Sequence, residues 1–299
     1  MTTSQIAFLK GHGTENDFVI VPDPDNVIDL SASAVAVLCD RRAGIGGDGL
    51  LHVVRSAAHP EAQAMAGEAE WFMDYRNGDG STAEMCGNGV RVFARYLQRA
   101  QLVEDGGLAI ATRGGVKRVH LAKNGDITVS MGRAVLPADG VTVTVGDRAW
   151  PALNVNMGNP HAVAFVDDLD DAGPLLSVPQ FEPASVYPDG VNVEFVVDRG
   201  ERHVAMRVHE RGSGETRSCG TGACAVAVAA ARRDGTDPAL TGEPVTYTVD
   251  LPGGRLVITE LPDGGIEMTG PAVIVAEGTI DGLFRETALS RGETETAPS

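Results

Sequence analysis

Two stretches of this 299-residue chain end in the same pattern, Cys-Gly-x-Gly, at Cys86–Gly89 and at Cys219–Gly222. Each opens a segment of helical character. A cysteine at a helix N-terminus sits at the positive end of the helix dipole, which favours its thiolate below the ordinary thiol pKa of ~8.5. The glycines behind it let a ligand come close to the backbone. The unpaired N–H groups of the first turn can hold a carboxylate. Each motif thus offers a base and an anion clamp together. Two of them offer more. Inverting a carbon centre needs a base on one face and an acid on the other, and a thiolate and a thiol can exchange those roles with direction. Two helix starts aimed at one carboxylate also stabilise the charge that builds as the proton leaves. No lysine stands in an evident pyridoxal-binding context.

Other readings of cysteine are weaker here. A lone cysteine before a helix is most often a small buried residue, but two in matching motifs are not explained that way. Cys219-x4-Cys224 lacks the two-residue spacing of most zinc pairs and has no second pair to join, so no metal site is expected. Cys39 and Cys224 read as core residues. Four cysteines in a chain of this length do not make a disulfide scaffold, and reduced thiols are expected.

These motifs need elements to hold them. Hydrophobic residues make up 43% and charged residues 22%, which fits an ordinary globular chain of about two domains. Three segments read as helices: Ser31 to Arg42, residues 87–102, and residues 221–233. The last is nearly all Ala and Val, and a helix apolar all round must be enclosed, here by sheet. Most of the remainder reads as short strands and turns. Lys123-Asn124-Gly125-Asp126 and Asp198-Arg199-Gly200 mark hairpins.

The features also recur in order. An Asn in a turn precedes an apolar strand (Asn16, Asn159), a second turn precedes another strand (Asp48, Asn192), and then comes the Cys-Gly-x-Gly helix. Two related halves follow from this. They divide near residues 133–140, around Pro137, into 1–134 and 135–276. Residues 287–299 read as a disordered polar tail.

The formal net charge of −17 argues against nucleic acid as a partner, since phosphate binding needs clustered Lys and Arg. No apolar run approaches the ~20 residues of a membrane span, and the N-terminus lacks a signal-peptide stretch. The expectation is a cytoplasmic protein with no membrane partner.

At GHGTENDFVI, RRAGIGGDG, YRNGDGSTAEMCGNGVR, NMGNPHAV, GVNVEF, HERGSGETRSCGTGACA and LPGG, in that joint order, the chain resembles diaminopimelate epimerases from Gly11 to about residue 280. The resemblance implies an α+β fold of two pseudo-symmetric domains, each a β-barrel-like sheet around a central helix, with the active site in the interdomain cleft and a C-terminal strand, at about 277–286, that returns to the first half. It implies cofactor-independent conversion of LL-diaminopimelate to the meso form, for lysine and peptidoglycan synthesis, by a homodimer.

Roles carry over by motif. Cys86 and Cys219 are similar to the family's acid/base pair. Asn16, Asn77, Asn159 and Asn192 fall where the family holds substrate, and Glu210 with Arg211 where it reads the distal end. Gly87 with Asn88 and Gly220 with Thr221 match the clamps on the reacting carboxylate. His161 and Glu210 match polar groups beside the thiols that can tune them, although His161 in an Asn-Pro-His turn reads equally well as structural.

The chemistry agrees: Asn offers donor and acceptor to a zwitterion, and Arg211 can hold a carboxylate by two bonds. One departure stands out. Many relatives carry Gln where this chain has Gly49, which removes one side-chain contact; Asp48 beside it reads as structural.

Two alternatives bear on the same residues. A proline or hydroxyproline racemase would share the fold and both cysteines, but a ring imino acid has no distal charge for Glu210 and Arg211 to read. A non-catalytic thiol redox or metal-binding protein would need no α-proton exchange.

Overall fold

The computed structural model describes residues 6–281. The strands run β1 (Ile6–Gly13), β2 (Asn16–Pro22), β3 (Gly49–Arg55), β4 (Trp71–Asn77), β5 (Gly106–Ala111), β6 (Lys117–Leu121), β7 (Ile127–Arg133), β8 (Val141–Val145) and β9 (Arg148–Asn156). They continue as β10 (Pro160–Phe165), β11 (Gln180–Glu182), β12 (Asn192–Gly200), β13 (His203–Glu210), β14 (Gly214–Glu215), β15 (Val245–Leu251), β16 (Gly254–Glu260), β17 (Gly265–Gly270) and β18 (Val273–Ile280). The helices are α1 (Ala32–Cys39), α2 (Gly87–Arg99), α3 (Gly220–Arg233) and α4 (Pro238–Thr241). None of the described helices is long and apolar enough to cross a membrane.

The chain forms two compact units. Of the described residues, one holds 6–13, 17–127 and 271–281; the other holds 14–16 and 128–270. The division therefore falls inside β7, before the residue 134 expected from sequence. β7 pairs with β17, and the Thr128 and Thr269 hydroxyls meet at 2.7 Å. The C-terminal strand also starts earlier than expected, at Val273, and pairs antiparallel with β1 in the first unit. Residues 282–286 and the tail expected at 287–299 lie outside the described residues.

In the first unit β2 pairs parallel with β3, β3 antiparallel with β4, β4 parallel with β5, and β5 antiparallel with β6. Helix α2 lies in the β4–β5 crossover, against β1, β3, β4, β6 and β18. In the second unit β10 pairs parallel with β12, β12 antiparallel with β13, β13 parallel with β15, and β15 antiparallel with β16. Helix α3 lies in the β13–β15 crossover, against β9, β10, β12, β13, β15, β16 and β17. The two units repeat one sequence of parallel and antiparallel pairings, with the helix at the same place. The fold is α+β, two pseudo-repeats of sheet around a helix.

Each helix is composed for that enclosure. α3 buries every residue from Gly222 to Ala231, and its Ala and Val side chains are short enough for strands to approach on all sides. α2 buries Val90, Phe93 and Leu97 completely. Each such side chain contributes roughly 1.5–3 kcal/mol.

The helices stop earlier than apolar spacing implies because local bonds end them. Gln101 takes φ 57° and the Leu102 N–H donates to Leu97 O at 2.9 Å, closing α2 before residue 102. After α1, the Arg42 and Ala43 N–H groups donate to Asp40 Oδ1 at 2.8 and 2.6 Å, which turns the chain before Arg42.

Candidate active site

Both motif cysteines are helix N-caps. Cys86 has φ −137° and ψ 116°, and Cys219 has φ −114° and ψ 112°, so both backbones are extended just before their helices. In each case Sγ accepts the N–H of the second motif glycine: Gly89 to Cys86 at 3.4 Å and Gly222 to Cys219 at 3.3 Å. The thiol does the work normally done by a Ser or Asp cap oxygen. Gly87 and Gly220 are the first helical residues.

Around Cys219 the second unit gathers a polar cluster. Glu210, at the end of β13, accepts a hydrogen bond from the Thr216 hydroxyl and stands beside the Cys219 thiol. The thiol pKa is pushed well up, first by burial and then by Glu210 and Glu194; the Thr221 hydroxyl and Gly222 N–H oppose this. The helix dipole alone leads to the opposite expectation. Here desolvation and two neighbouring carboxylates outweigh it, and Cys219 rests as a thiol.

His161 is fully buried on β10, which settles its place as an interior member of this cluster. Its Nδ1 lies 2.6 Å from Glu194 Oε1 and its Nε2 3.1 Å from Asn159 Oδ1. The Asn159 Nδ2 donates to Thr221 Oγ1 at 3.3 Å, and Thr221 Oγ1 lies 3.6 Å from Cys219 Sγ. Asn159, His161, Glu210, Cys219, Gly220 and Thr221 are thus brought together.

Asn192 is used differently. Its Oδ1 accepts the Arg211 N–H at 2.9 Å and its Nδ2 donates to Pro160 O at 3.1 Å, so the amide ties β12 to the turn that presents Arg211. The Arg211 side chain is exposed and donates to Asp189 O at 3.3 Å.

Asn16 opens β2 directly after Thr14 and Glu15, which take φ 52° and 62°. Thr14–Asn16 belong to the second unit: the Thr14 and Ser218 hydroxyls meet at 2.6 Å, and Arg217 pairs with Glu15. Asn16 is therefore carried by the unit that holds Cys219.

In the first unit, Asn77 ends β4; its Oδ1 accepts from the Tyr75 hydroxyl at 3.0 Å and its Nδ2 donates to Ser81 Oγ at 3.0 Å. Asn88 is 1% exposed and its Oδ1 accepts from Arg91 Nη2 at 2.5 Å, so its amide faces the interior. Asp48 accepts from Arg41 at 2.6 Å and from the Asp17 N–H at 3.2 Å, a structural role.

Gly49 has a steric reason. It pairs with Asn77, and a Cβ there would lie 2.5 Å from Arg76 O and 2.8 Å from the Tyr75 ring. The Tyr75 ring fills the space a side chain would need. Gly49→Gln is expected to destabilise the protein by about 1–3 kcal/mol through overpacking, read as a fall in denaturation midpoint. An unchanged midpoint would show that β3 and β4 can part to admit the side chain.

The residue missed from sequence is Glu194. It is fully buried, and an ideal Cβ on Gly222 would lie 2.9 Å from its Oε1 and 3.2 Å from Cys219 Sγ. Only glycine at 222 lets the helix start come this near. The one signal was a lone carboxylate in the apolar run Val193–Val197.

The family model described as diaminopimelate epimerase matches residues 8–137 and 153–275. A diaminopimelate epimerase of Streptomyces coelicolor is 78% identical over 288 residues, 96% of this chain and 100% of that one. One of Thermobifida fusca is 48% identical over 281 residues, 91% of this chain and 97% of that one. Among solved structures, a Bacillus anthracis phenazine biosynthesis protein of the PhzF family superposes with a TM-score of 0.71 at 17% identity, covering 93% of this chain and 100% of that one. A hydroxyproline epimerase from Agrobacterium vitis gives a TM-score of 0.59 at 14% identity, covering 94% and 95%. Likeness at that identity concerns the fold.

Proposed function

The chain belongs to the diaminopimelate epimerase family, and from that premise we propose that Cys86 and Cys219 are the two acid/base groups of its reaction. The reaction is the epimerisation of LL-diaminopimelate to the meso form, an isomerase activity that serves lysine and peptidoglycan biosynthesis.

The observation that carries the assignment is the pair of cysteine N-caps with matching geometry, one per repeat, each with Sγ on the N–H of its own first turn. In one direction a thiolate takes the α-proton from one face and the other thiol returns a proton to the opposite face; in reverse the roles exchange. The first-turn N–H groups at Gly87 and Asn88, and at Gly220 and Thr221, stabilise the carboxylate as charge moves into it. Asn16, Asn77, Asn159 and Asn192 orient the substrate's polar groups. Glu210 and Arg211 hold its distal ammonium and carboxylate. His161 and Glu210 tune the Cys219 thiol. The enzyme works without cofactor or metal, as a homodimer, in the cytoplasm.

The test is direct. Reduced protein incubated with LL-diaminopimelate in heavy water, without added cofactor, is expected to yield the meso isomer with deuterium at the inverted carbon. Absence of α-exchange would overturn the assignment.

A further inference from the structure

Glu194 is the one fully buried carboxylate in the Cys219 cluster that the mechanism above leaves without a task. Its Oε1 meets His161 Nδ1 at 2.6 Å, and its Oε2 is buried without a hydrogen-bond partner. From His161 Nε2 the contacts run on to Asn159 Oδ1 at 3.1 Å, from Asn159 Nδ2 to Thr221 Oγ1 at 3.3 Å, and from Thr221 Oγ1 to Cys219 Sγ at 3.6 Å. Five side chains therefore form one unbroken path from a buried carboxyl to the thiol.

The path has a direction. A bare charge in a fully enclosed site is costly, and burial pushes the Glu194 carboxyl above its usual range. A single proton shared between Glu194 and His161 Nδ1 removes that cost. With Nδ1 engaged in this way, the ring's own hydrogen sits on Nε2. Nε2–H donates to Asn159 Oδ1, which turns the Asn159 N–H toward Thr221 Oγ1. That oxygen then accepts, and its hydrogen is left to donate to Cys219 Sγ.

We propose that Glu194 is a positioning residue for the Cys219 thiol: by keeping the proton on His161 Nε2, it sets the direction of the chain through Asn159 and Thr221 and so aims a hydroxyl donor at Sγ. The donor favours the thiolate, which Cys219 must become whenever it acts as the base. It offsets the charged and titratable groups that face the thiol, which are Glu210 from β13 and Glu194 from β12, with His161 from β10. The first turn of α3 carries no acidic side chain. Arg217, two residues before Cys219, is paired with Glu15.

This inference rests on the reading of Cys219 as an acid/base thiol. The test needs no turnover, so the two can fail separately: loss of the acid/base reading would appear in the heavy-water exchange assay. The rate of carbamidomethylation of Cys219 by iodoacetamide is followed by peptide mass mapping across a pH series, with Cys86 in the same sample as the internal control.

Thr221→Val and Glu194→Leu are each expected to slow Cys219 modification about tenfold at pH values below the thiol's pKa, and to leave Cys86 unchanged. Glu194→Gln can still donate to Nδ1 and should stay within about twofold of the unsubstituted protein. A Cys219 rate in Thr221→Val equal to that of the unsubstituted protein overturns the proposal. So does faster modification in Glu194→Leu or Glu194→Gln, because loss of a negative charge alone acts in that direction. Should Glu194→Leu fail to fold, Thr221→Val and Glu194→Gln still decide the matter.

Discussion

Serine at position 86 or at position 219 is expected to lower kcat/KM for epimerisation by at least ~10³-fold, within the range that a positioned acid or base contributes. Serine keeps the N-cap, since its hydroxyl accepts a first-turn N–H at least as well as Sγ does. The fold should therefore survive, and the loss reports proton transfer alone. The hydroxyl is a far weaker acid than the thiol and cannot supply a useful base near neutral pH. The stereochemistry of what remains is more diagnostic than the loss. A variant with one thiol can still remove the α-hydrogen that faces it, exchange that proton with solvent and return a deuteron to the same face. Each variant should thus exchange one stereoisomer without inverting it, and the two variants should prefer opposite stereoisomers. Epimerisation at an undiminished rate in either variant, or the same stereoisomer preference in both, would remove the two-thiol mechanism.

How far the site could be read from sequence depends on how local each cause is. The cysteine caps were legible because everything that fixes them lies within four residues: an extended cysteine, a glycine whose N–H turns back to it, and a helix that follows. The repeat was legible because the recurring features fall on elements that pair in the same order, β2–β3–β4–α2–β5 and β10–β12–β13–α3–β15. The helix ends were not, since Gln101 and Asp40 stop their helices by conformations that apolar spacing does not encode. The Cys219 thiol departs from the dipole expectation for a physical reason. The dipole is a property of the cysteine's own helix, whereas the burial and the carboxylates that outweigh it come from β12 and β13. Glu194 was hidden for the same reason. Inside Val193–Val197 it reads as an interruption of a strand, and only the parallel register of β10 against β12 brings it to His161.

Asp74→Ala is expected to cost about 3–5 kcal/mol of stability, the loss found when one partner of a buried charge cluster is removed. That is roughly 10 °C in Tm for a unit of this size. Asp74 is 1% exposed in β4, and three groups converge on it. His52 Nδ1 lies 3.3 Å from Oδ2, Arg76 Nε donates to Oδ1 at 2.7 Å and Arg113 Nη2 donates to Oδ1 at 2.7 Å. On the far side of the ring, His52 Nε2 lies 3.0 Å from Asp23 Oδ2. Removing the carboxylate would leave an imidazole and two guanidinium groups around an apolar gap.

The pH dependence has a definite sign. Burial by itself would raise the Asp74 carboxyl, but the hydrogen bonds from His52, Arg76 and Arg113 more than reverse it and hold the group well below the usual carboxylate range. A carboxyl whose pKa is depressed by folding stabilises fully above its unfolded value of ~3.9, and the contribution fades as pH falls below that. The difference in denaturation midpoint between the unsubstituted protein and Asp74→Asn should accordingly be constant near neutrality and shrink below about pH 4. The effect should also reach Asn77: Arg113 Nη1 donates to Tyr75 O at 3.1 Å, and the Tyr75 hydroxyl donates to the Asn77 amide oxygen at 3.0 Å. In Asp74→Asn, KM should rise more than kcat falls, because the amide proposed to orient substrate is loosened while both thiols keep their caps. A midpoint difference that persists unchanged to low pH would show that the carboxylate acts there through shape and not through charge.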